Sequence, residues 1–132
     1  DIILISAEIE SQISSLSSAD QAEYLESLGL KQSGLNKIIK SGYQTLSLIT
    51  YFTSGEQETR AWTVTSGSKA PDAAGKIHSD FQSGFIRAET ISYDDFVECD
   101  GEIKAKELGK MRSEGKEYVV QDGDVMHFLF NN

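Results

Sequence analysis

A change in residue pattern near position 47 constrains the fold of this chain more than any other feature of its sequence. Before it, apolar residues such as Leu35, Ile38 and Ile39 recur at the spacing of an amphipathic helix. After it come short runs rich in Thr, Tyr, Phe and Val, separated by turn residues, which are typical of strands. The pattern predicts a mostly helical part at residues 1–46 and a strand-rich domain at residues 47–132.

The helical part opens on an apolar run at residues 2–5, typical of a parallel strand buried on both faces. Helical spacing follows at residues 8–16, and Ser18 with Gln21 forms a capping-box pattern for a second helix. A lone strand of this kind has no sheet within the helical part. We therefore expect residues 2–5 either to pair with a second copy of the chain or to be disordered.

The strand-rich domain is predicted to belong to the α+β class. Residues 48–53 and Thr59–Thr65 should form a hairpin through Ser54-Gly55-Glu56, followed by one helix that begins near Pro71. Further strands are expected at Phe85–Ile91, residues 118–120 and Val125–Phe130, with a short capped helix at residues 92–97. One helix packed on a mixed sheet is the arrangement of a β-grasp. We expect one core to contain Trp62, Ile77, Phe81, Val125 and Phe128.

Composition limits the classes of partner. The chain has 12 Lys and Arg residues against 21 Asp and Glu residues, a formal charge of -9, which opposes diffuse binding to phosphate backbones. No run approaches the roughly 18 apolar residues of a membrane helix, so we expect no membrane contact. Cys99 is the single cysteine, which excludes an internal disulfide and makes the cytoplasm the expected compartment.

One stretch departs from the acidic trend. Between positions 104 and 116, five cations stand against Glu107 and Glu114; they are Lys104, Lys106, Lys110, Arg112 and Lys116. This basic segment, residues 104–116, is a candidate docking site for the ribosome or for structured RNA, since local charge can direct a protein to a polyanion. The alternative is that these residues only solubilise a loop or a short helix.

The remaining candidate residues favour structural roles. The acidic run lacks the ligand order of an EF-hand and is interpreted as a solvated face; it comprises Asp94, Asp95, Glu98, Asp100 and Glu102. His78 and His127 have no nucleophile near them in sequence, and Cys99 has no cationic neighbour. Trp62 is interpreted as a core aromatic rather than a base-stacking one. No catalytic residue and no metal site is predicted.

Several motifs together resemble the carboxy-terminal part of the YchF-type Obg-like ATPases, including its TGS domain. The motifs are Tyr51-Phe52-Thr53-Ser54-Gly55, Arg60-Ala61-Trp62-Thr63, Ala70-Pro71-Asp72-Ala73-Ala74-Gly75-Lys76-Ile77-His78, Gly109-Lys110-Met111-Arg112 and Gln121-Asp122-Gly123-Asp124-Val125-Met126-His127-Phe128. The resemblance extends upstream through Glu26-Ser27-Leu28-Gly29-Leu30. It implies a β-grasp TGS domain at residues 47–132, preceded at residues 1–46 by the last strand and helices of a G domain and a connector.

The resemblance also implies a function for the parent protein, which would hydrolyse ATP in preference to GTP with magnesium and associate with ribosomes. The chain contains no G-x-x-x-x-G-K-[ST] motif, so we expect no catalysis and no cofactor in this chain itself. Ser6-Ala7-Glu8 resembles the loop beside the nucleotide base, a weak remnant of a binding site, and the missing G domain would be a partner. Two alternatives stay open, a hydrolase using Asp94 and Asp95 and a domain that senses a small ligand.

Overall fold

Three helices make up the first of the two compact units into which the chain divides, Asp1–Leu46. The computed structural model describes residues 2–55 and 58–131. The helices are α1 (Ala7–Ser14), α2 (Ser18–Ser27) and α3 (Gly34–Thr45). A serine precedes each helix, and its hydroxyl accepts a hydrogen bond from a backbone N–H of the first turn. Serine caps therefore fix where these helices begin.

One prediction about the first unit is wrong, the capping residue of its second helix, whereas the expectation that residues 2–5 pair with a second copy or are disordered stays a prediction. Residues 2–5 have no regular secondary structure, because a strand needs a neighbouring strand for its backbone hydrogen bonds and no strand of the described residues pairs with them. The cap of the second helix is Ser17 and not Ser18. Its hydroxyl lies 3.3 Å from the backbone nitrogen of Asp20 and 2.6 Å from the Asp20 carboxylate, so the cap pairs with Asp20 rather than Gln21.

A five-stranded mixed sheet organises the second unit, Ser47–Asn132. In chain order the strands are β1 (Leu48–Ser54), β2 (Thr59–Thr65), β3 (Phe85–Ile91), β4 (Arg112–Glu114) and β5 (Val125–Phe130). Their order in the sheet is β2-β1-β5-β3-β4. β1 and β2 form the predicted antiparallel hairpin, although Glu56 of its turn lies outside the described residues. β5 lies between β1, to which it is parallel, and β3, to which it is antiparallel.

Two helices cover one face of this sheet, where one helix was predicted. α4 (Ala70–Ile77) and α5 (Ser79–Ser83) are separated at His78, whose φ of -159° and ψ of 146° are those of extended backbone. Tyr51 is fully buried beneath α4, and its hydroxyl donates a hydrogen bond of 2.8 Å to the Ala73 carbonyl. The buried residues of this core are Tyr51, Val64, Ala70, Ala73, Ala74, Phe85, Ala88, Val120, Met126 and Phe128. Trp62, Ile77 and Phe81 pack against it partly buried.

Val125 does not belong to that core, contrary to prediction. It precedes Met126 on β5, and successive side chains of a strand point to opposite faces. Val125 pairs with Ile91, which belongs to a second buried cluster with Cys99 and Ala105. That cluster is built with α6 (Tyr93–Glu98) and α7 (Glu102–Glu107). The sheet therefore has buried residues on both of its faces.

The stretch between α7 and β5 differs most from its prediction. Residues 118–120 do not form a strand, and their one bridge in the described residues joins Val119 to Lys69. The strand beside β3 at this edge of the sheet is instead β4, which pairs with β3 through three residues. Its sequence, Arg-Ser-Glu, has none of the apolar alternation from which strands are predicted.

Candidate docking site

The basic segment begins within α7, which contributes its first four residues. Ala105 is fully buried, so the helical geometry turns its neighbours Lys104 and Lys106 about 100° to either side of the buried direction. Both lysines are exposed, and among the described residues neither makes an ion pair or a side-chain hydrogen bond. Lys116, in the turn after β4, is likewise exposed and unpaired there. These three residues are the free cations of the basic segment.

Lys110 is paired within the fold. Its Nζ lies 3.0 Å from Oδ1 of Asp95 on α6, and the other oxygen of that carboxylate accepts a 2.6 Å hydrogen bond from the Ser92 hydroxyl. The hydrogen bonds from Ser92 and from Lys110 lower the pKa of Asp95 below its ordinary value. The same contact with Asp95 raises the pKa of Lys110. Lys110 therefore connects the segment to the cap of α6.

Arg112 is held by a buried carboxylate. Its Nη2 lies 3.5 Å from Oδ1 of Asp124 and 3.2 Å from the Tyr118 hydroxyl. Tyr118 donates a 2.7 Å hydrogen bond to Oδ2 of Asp124, which also accepts one of 2.9 Å from the Gln121 backbone N–H. Burial and the contact with Asp124 raise the pKa of Tyr118 to about 12. The Arg112–Tyr118–Asp124 cluster is therefore well connected.

Asp124 and Tyr118 escaped prediction because their partners lie six and twelve residues apart in sequence. Residues 121–124 also form a turn that contacts β1. Asp122 Oδ1 accepts a 2.8 Å hydrogen bond from the Thr50 backbone N–H, and Gly123 N–H donates one of 2.7 Å to the Thr50 carbonyl. A recognisable signal was the Asp-Gly-Asp sequence between two apolar runs, since Asp in a turn often caps backbone N–H groups.

The other candidate residues take structural positions. His78 caps α5 by accepting a hydrogen bond from the Asp80 backbone N–H, and His127 is exposed on β5. Cys99 is buried. Trp62 is partly buried, its Nε1 donates a 3.0 Å hydrogen bond to the Thr53 hydroxyl, and the Arg60 guanidinium carbon lies 4.4 Å from its ring centroid. The acidic run contains one ion-paired residue in the described part of the chain, Asp95.

The predicted nucleotide-loop remnant forms the start of the first helix. The Ser6 hydroxyl accepts a hydrogen bond from the Ile9 backbone N–H, while Ala7 and Glu8 form the first turn of α1. A groove of about 270 Å³ adjoins this loop and is lined by Leu4, Ile5, Ser6, Ile9, Glu10, Leu30, Gln32, Gly34 and Lys37. The Glu10 carboxylate accepts hydrogen bonds of 2.6 and 3.2 Å from the first two backbone N–H groups of α3. That carboxylate is thus used to cap a helix.

Within the described residues, 2–55 and 58–131, neither a metal-binding cluster nor a membrane helix is present. No group of three or more His, Cys, Asp or Glu residues is arranged to hold a metal ion there. Nor is any helix in those ranges long and apolar enough to cross a membrane. A cavity of about 10 Å³ beside Glu102, Met111 and His127 has room for one water at most.

Comparison with known proteins identifies the family. Residues 48–131 match the YchF-GTPase_C family model, described as a protein of unknown function. The protein named ribosome-binding ATPase YchF of Bacillus subtilis (strain 168) is 56% identical over 131 residues, which are 99% of this chain and 36% of that protein. The protein of the same name from Escherichia coli O157:H7 is 54% identical over 130 residues, 98% of this chain and 36% of that protein.

Solved structures agree. The YchF GTPase of Schizosaccharomyces pombe superposes with a TM-score of 0.82 at 39% identity, over 95% of this chain and 33% of that one. A GTP-binding protein from Pyrococcus horikoshii OT3, at 18% identity and a TM-score of 0.53 over 86% of this chain and 29% of that one, shares the fold. The chain spans about a third of the length of these relatives. By sequence and by structure, the chain belongs to the YchF family and corresponds to its carboxy-terminal region.

Proposed function

We propose that this chain is a docking and regulatory module that connects a YchF-type nucleotide hydrolase to the ribosome and is not itself catalytic. The observation that carries the proposal is the printed name of the relatives, ribosome-binding ATPase, for proteins 54–56% identical over nearly the whole chain. The second unit has the strand order and the parallel β1–β5 pairing expected of a β-grasp, which supports its assignment as a TGS domain. The module would act in the cytoplasm, where ribosomes are.

Free cations support the basic segment as the contact surface. Lys104, Lys106 and Lys116 have no partner in the described part of the chain, and they belong to a stretch in which cations outnumber carboxylates. Contact between lysines and RNA phosphates releases counterions and so favours binding despite the net charge of -9. Lys110 and Arg112 contribute less directly, because Asp95 and Asp124 already neutralise them.

Catalysis would belong to a G domain supplied by the parent protein, with ATP or GTP and magnesium. Ser6, Ala7 and Glu8 would lie beside the nucleotide base of that domain, because they resemble the family's loop at that position. Ile2 and Leu4 are 95% and 88% exposed in this structure. Large apolar side chains are seldom left in water, which supports burial of residues 2–5 against that domain in the parent protein.

The two alternatives have less support. A hydrolase using Asp94 and Asp95 would need a free carboxylate, and Asp95 is hydrogen-bonded to Ser92 and paired with Lys110. A small-ligand sensor would need polar groups that converge in a pocket. The groove beside Ser6 is largely apolar, and its Glu10 carboxylate is bonded to the backbone of α3.

The test combines two assays on the purified 132-residue chain. We expect it to sediment with ribosomes at low salt and to be released as the salt concentration rises. We also expect no Mg-dependent hydrolysis of ATP or GTP above a blank, because the residues that hold phosphate and metal are not in this chain. Saturable turnover that copurifies with the chain would refute the non-catalytic assignment. Failure to sediment at any salt concentration would refute the docking assignment.

A further inference from the structure

The cations of the basic segment fall into two groups by their contacts. Lys104, Lys106 and Lys116 are unpaired among the described residues. Lys110 binds Asp95 of α6, and Arg112 binds Asp124 and, within the segment, Glu114 at 3.7 Å. We propose that Arg112, with Asp124 and Tyr118, positions the basic segment for docking to RNA phosphates, while Lys104 and Lys106 make the contacts. This inference rests on the proposed docking function and assigns different roles to residues of that one surface.

Asp124 is the fixed point of the cluster. Its side chain is 3% exposed, so it cannot itself touch a partner of the folded chain. Its backbone carbonyl accepts a 2.8 Å hydrogen bond from the Phe52 backbone N–H, which ties it to β1. Its two carboxylate oxygens bind Arg112, Tyr118 and the Gln121 N–H. Contacts made by this carboxylate therefore link residues 112–118 to the centre of the sheet.

Arg112 has a structural task that the free lysines do not have. A buried carboxylate is costly unless it is paired with a cation and hydrogen-bonded, and in the described residues Arg112 is the one cation within salt-bridge distance of Asp124. Its guanidinium also lies 5.5 Å from the centroid of the Tyr118 ring, so the two side chains are oriented together. Removing the guanidinium leaves Asp124 without its cation and loosens residues 112–118.

A second anchor lies nearer to α7. Lys110 binds Asp95, which is itself fixed by Ser92 at the start of α6. The backbone N–H of Lys110 also donates a 2.8 Å hydrogen bond to the Ala105 carbonyl of α7. The segment is thus held at Lys110 and at Arg112, directly after the helix that carries Lys104 and Lys106. These anchors fix the direction in which α7 presents its two free lysines.

Salt dependence separates contact from positioning. We would measure cosedimentation of the 132-residue chain with ribosomes over a salt series. The slope of log affinity against log salt is negative. In the double variant Lys104→Gln with Lys106→Gln its magnitude should be smaller by about 2, one for each lost phosphate contact. Arg112→Gln and Asp124→Asn should leave the slope unchanged and weaken binding about 3- to 10-fold at every salt concentration, because the partner must then order the segment. Lys76→Gln, which changes an exposed lysine on α4, is the control for the loss of one positive charge and matches Arg112→Gln.

A stability change alone cannot produce that pattern when each variant is folded by circular dichroism at the assay temperature. Amide exchange of residues 109–118 in the free chain should be faster in Arg112→Gln and Asp124→Asn, and unchanged in the lysine variant. If Arg112→Gln does not fold, Asp124→Asn still tests the positioning role. Asn has the same shape as Asp and fits the buried position of Asp124 without its charge.

Three results would overturn the inference while the docking function stands. One is a salt dependence whose slope is smaller in magnitude by about 1 in Arg112→Gln, which would make Arg112 a contact residue. Another is tighter, steeper binding by Asp124→Asn, which would mean that Asp124 withholds Arg112 from RNA. The third is unchanged affinity in both variants. Loss of sedimentation by the unaltered chain, or wild-type binding by the double lysine variant, would instead refute the docking surface itself.

Discussion

Trp62 illustrates how much one partly buried aromatic contributes at the edge of the second unit. Its ring packs against the main core, receives the Arg60 guanidinium on one face and donates to Thr53 through Nε1. Trp62→Ala should lower the free energy of unfolding by about 2–4 kcal/mol. The loss is somewhat smaller than the roughly 3–5 kcal/mol of a fully buried Trp, because the ring is partly exposed.

Urea unfolding of the Trp62→Ala variant measures this loss. Trp62→Phe is the control, since it keeps an aromatic ring but loses the hydrogen bond to Thr53, which contributes about 1 kcal/mol, together with part of the ring's packing area. An unchanged unfolding midpoint in Trp62→Ala would remove this residue from the core.

Tyr118 gives the second unit a predictable response to alkaline pH. Its pKa in the folded chain is about 12 against an ordinary value of 10.0, because of burial and the contact with Asp124. The folded state therefore holds its proton more tightly than the unfolded state. The corresponding stabilisation is fully present below pH 10 and is lost as the pH rises from about 10 through 12.

The Tyr118→Phe variant tests that response. Its stability should fall less steeply with pH between about 10 and 12 than that of the unaltered chain, as measured by urea unfolding at successive pH values. A decline remains in both proteins, since burial also raises the pKa of Tyr51. Identical declines would show that Tyr118 is not protonated preferentially in the folded state.

At the level of residues, sequence reasoning found exposed charges and missed buried ones. The five cations of the basic segment could be identified because charge is visible in sequence. Their division into free and paired residues could not, because Arg112 meets Asp124 only after β4 and β5 have taken their places in the sheet. The same applies to Val125, whose face depends on the register of β5 against β3.

Two glycines beside the helices of the second unit make a matched test of packing. A Cβ added to Gly84 would collide with the backbone carbonyl oxygen of Asn131. The backbone N–H of Asn131 also donates a 2.9 Å hydrogen bond to the Gly84 carbonyl. A Cβ added to Gly75 on α4 would meet the Gln82 side chain, with Oε1 at 2.6 Å, and that side chain can move.

Gly84→Ala should therefore destabilise the chain by about 2 kcal/mol or more, because the end of β5 must shift away from α5. Gly75→Ala should change stability by less than about 1 kcal/mol, since Ala favours the helix and the displaced contact is flexible. Thermal unfolding of the two variants compares them directly. Equal midpoints would mean that Asn131 yields as readily as Gln82.

Elements with strong periodicity were predicted well and elements set by tertiary contacts were not. The hairpin and β3 could be predicted because their sequences combine β-branched and aromatic residues with a clear turn. β4 is three polar residues that are ordered by pairing with β3, and residues 118–120 are apolar yet lie outside the sheet. His78 divides α4 from α5 without a Pro or Gly to announce the break.

On the scale of the whole molecule, the chain consists of two units with different tasks in our account. The first, Asp1–Leu46, contains the loop assigned to the nucleotide base and the apolar residues 2–5, of which Ile2, Leu4 and Ile5 are exposed. The second, Ser47–Asn132, carries the basic segment and the Arg112–Tyr118–Asp124 cluster that we propose orients it. The family relationship was predictable because many separate motifs of the sequence agree, whereas the docking surface depends on how side chains pair in the fold.

The most direct test of the docking claim is the chemical reactivity of individual lysines. The chain would be acetylated briefly in the presence and absence of saturating ribosomes, and modification at each lysine would be quantified by mass spectrometry. We predict strong protection of Lys104 and Lys106, and unchanged reactivity of Lys76 on α4. Equal reactivity of Lys104 and Lys106 in the two samples, with the chain demonstrably bound, would contradict it.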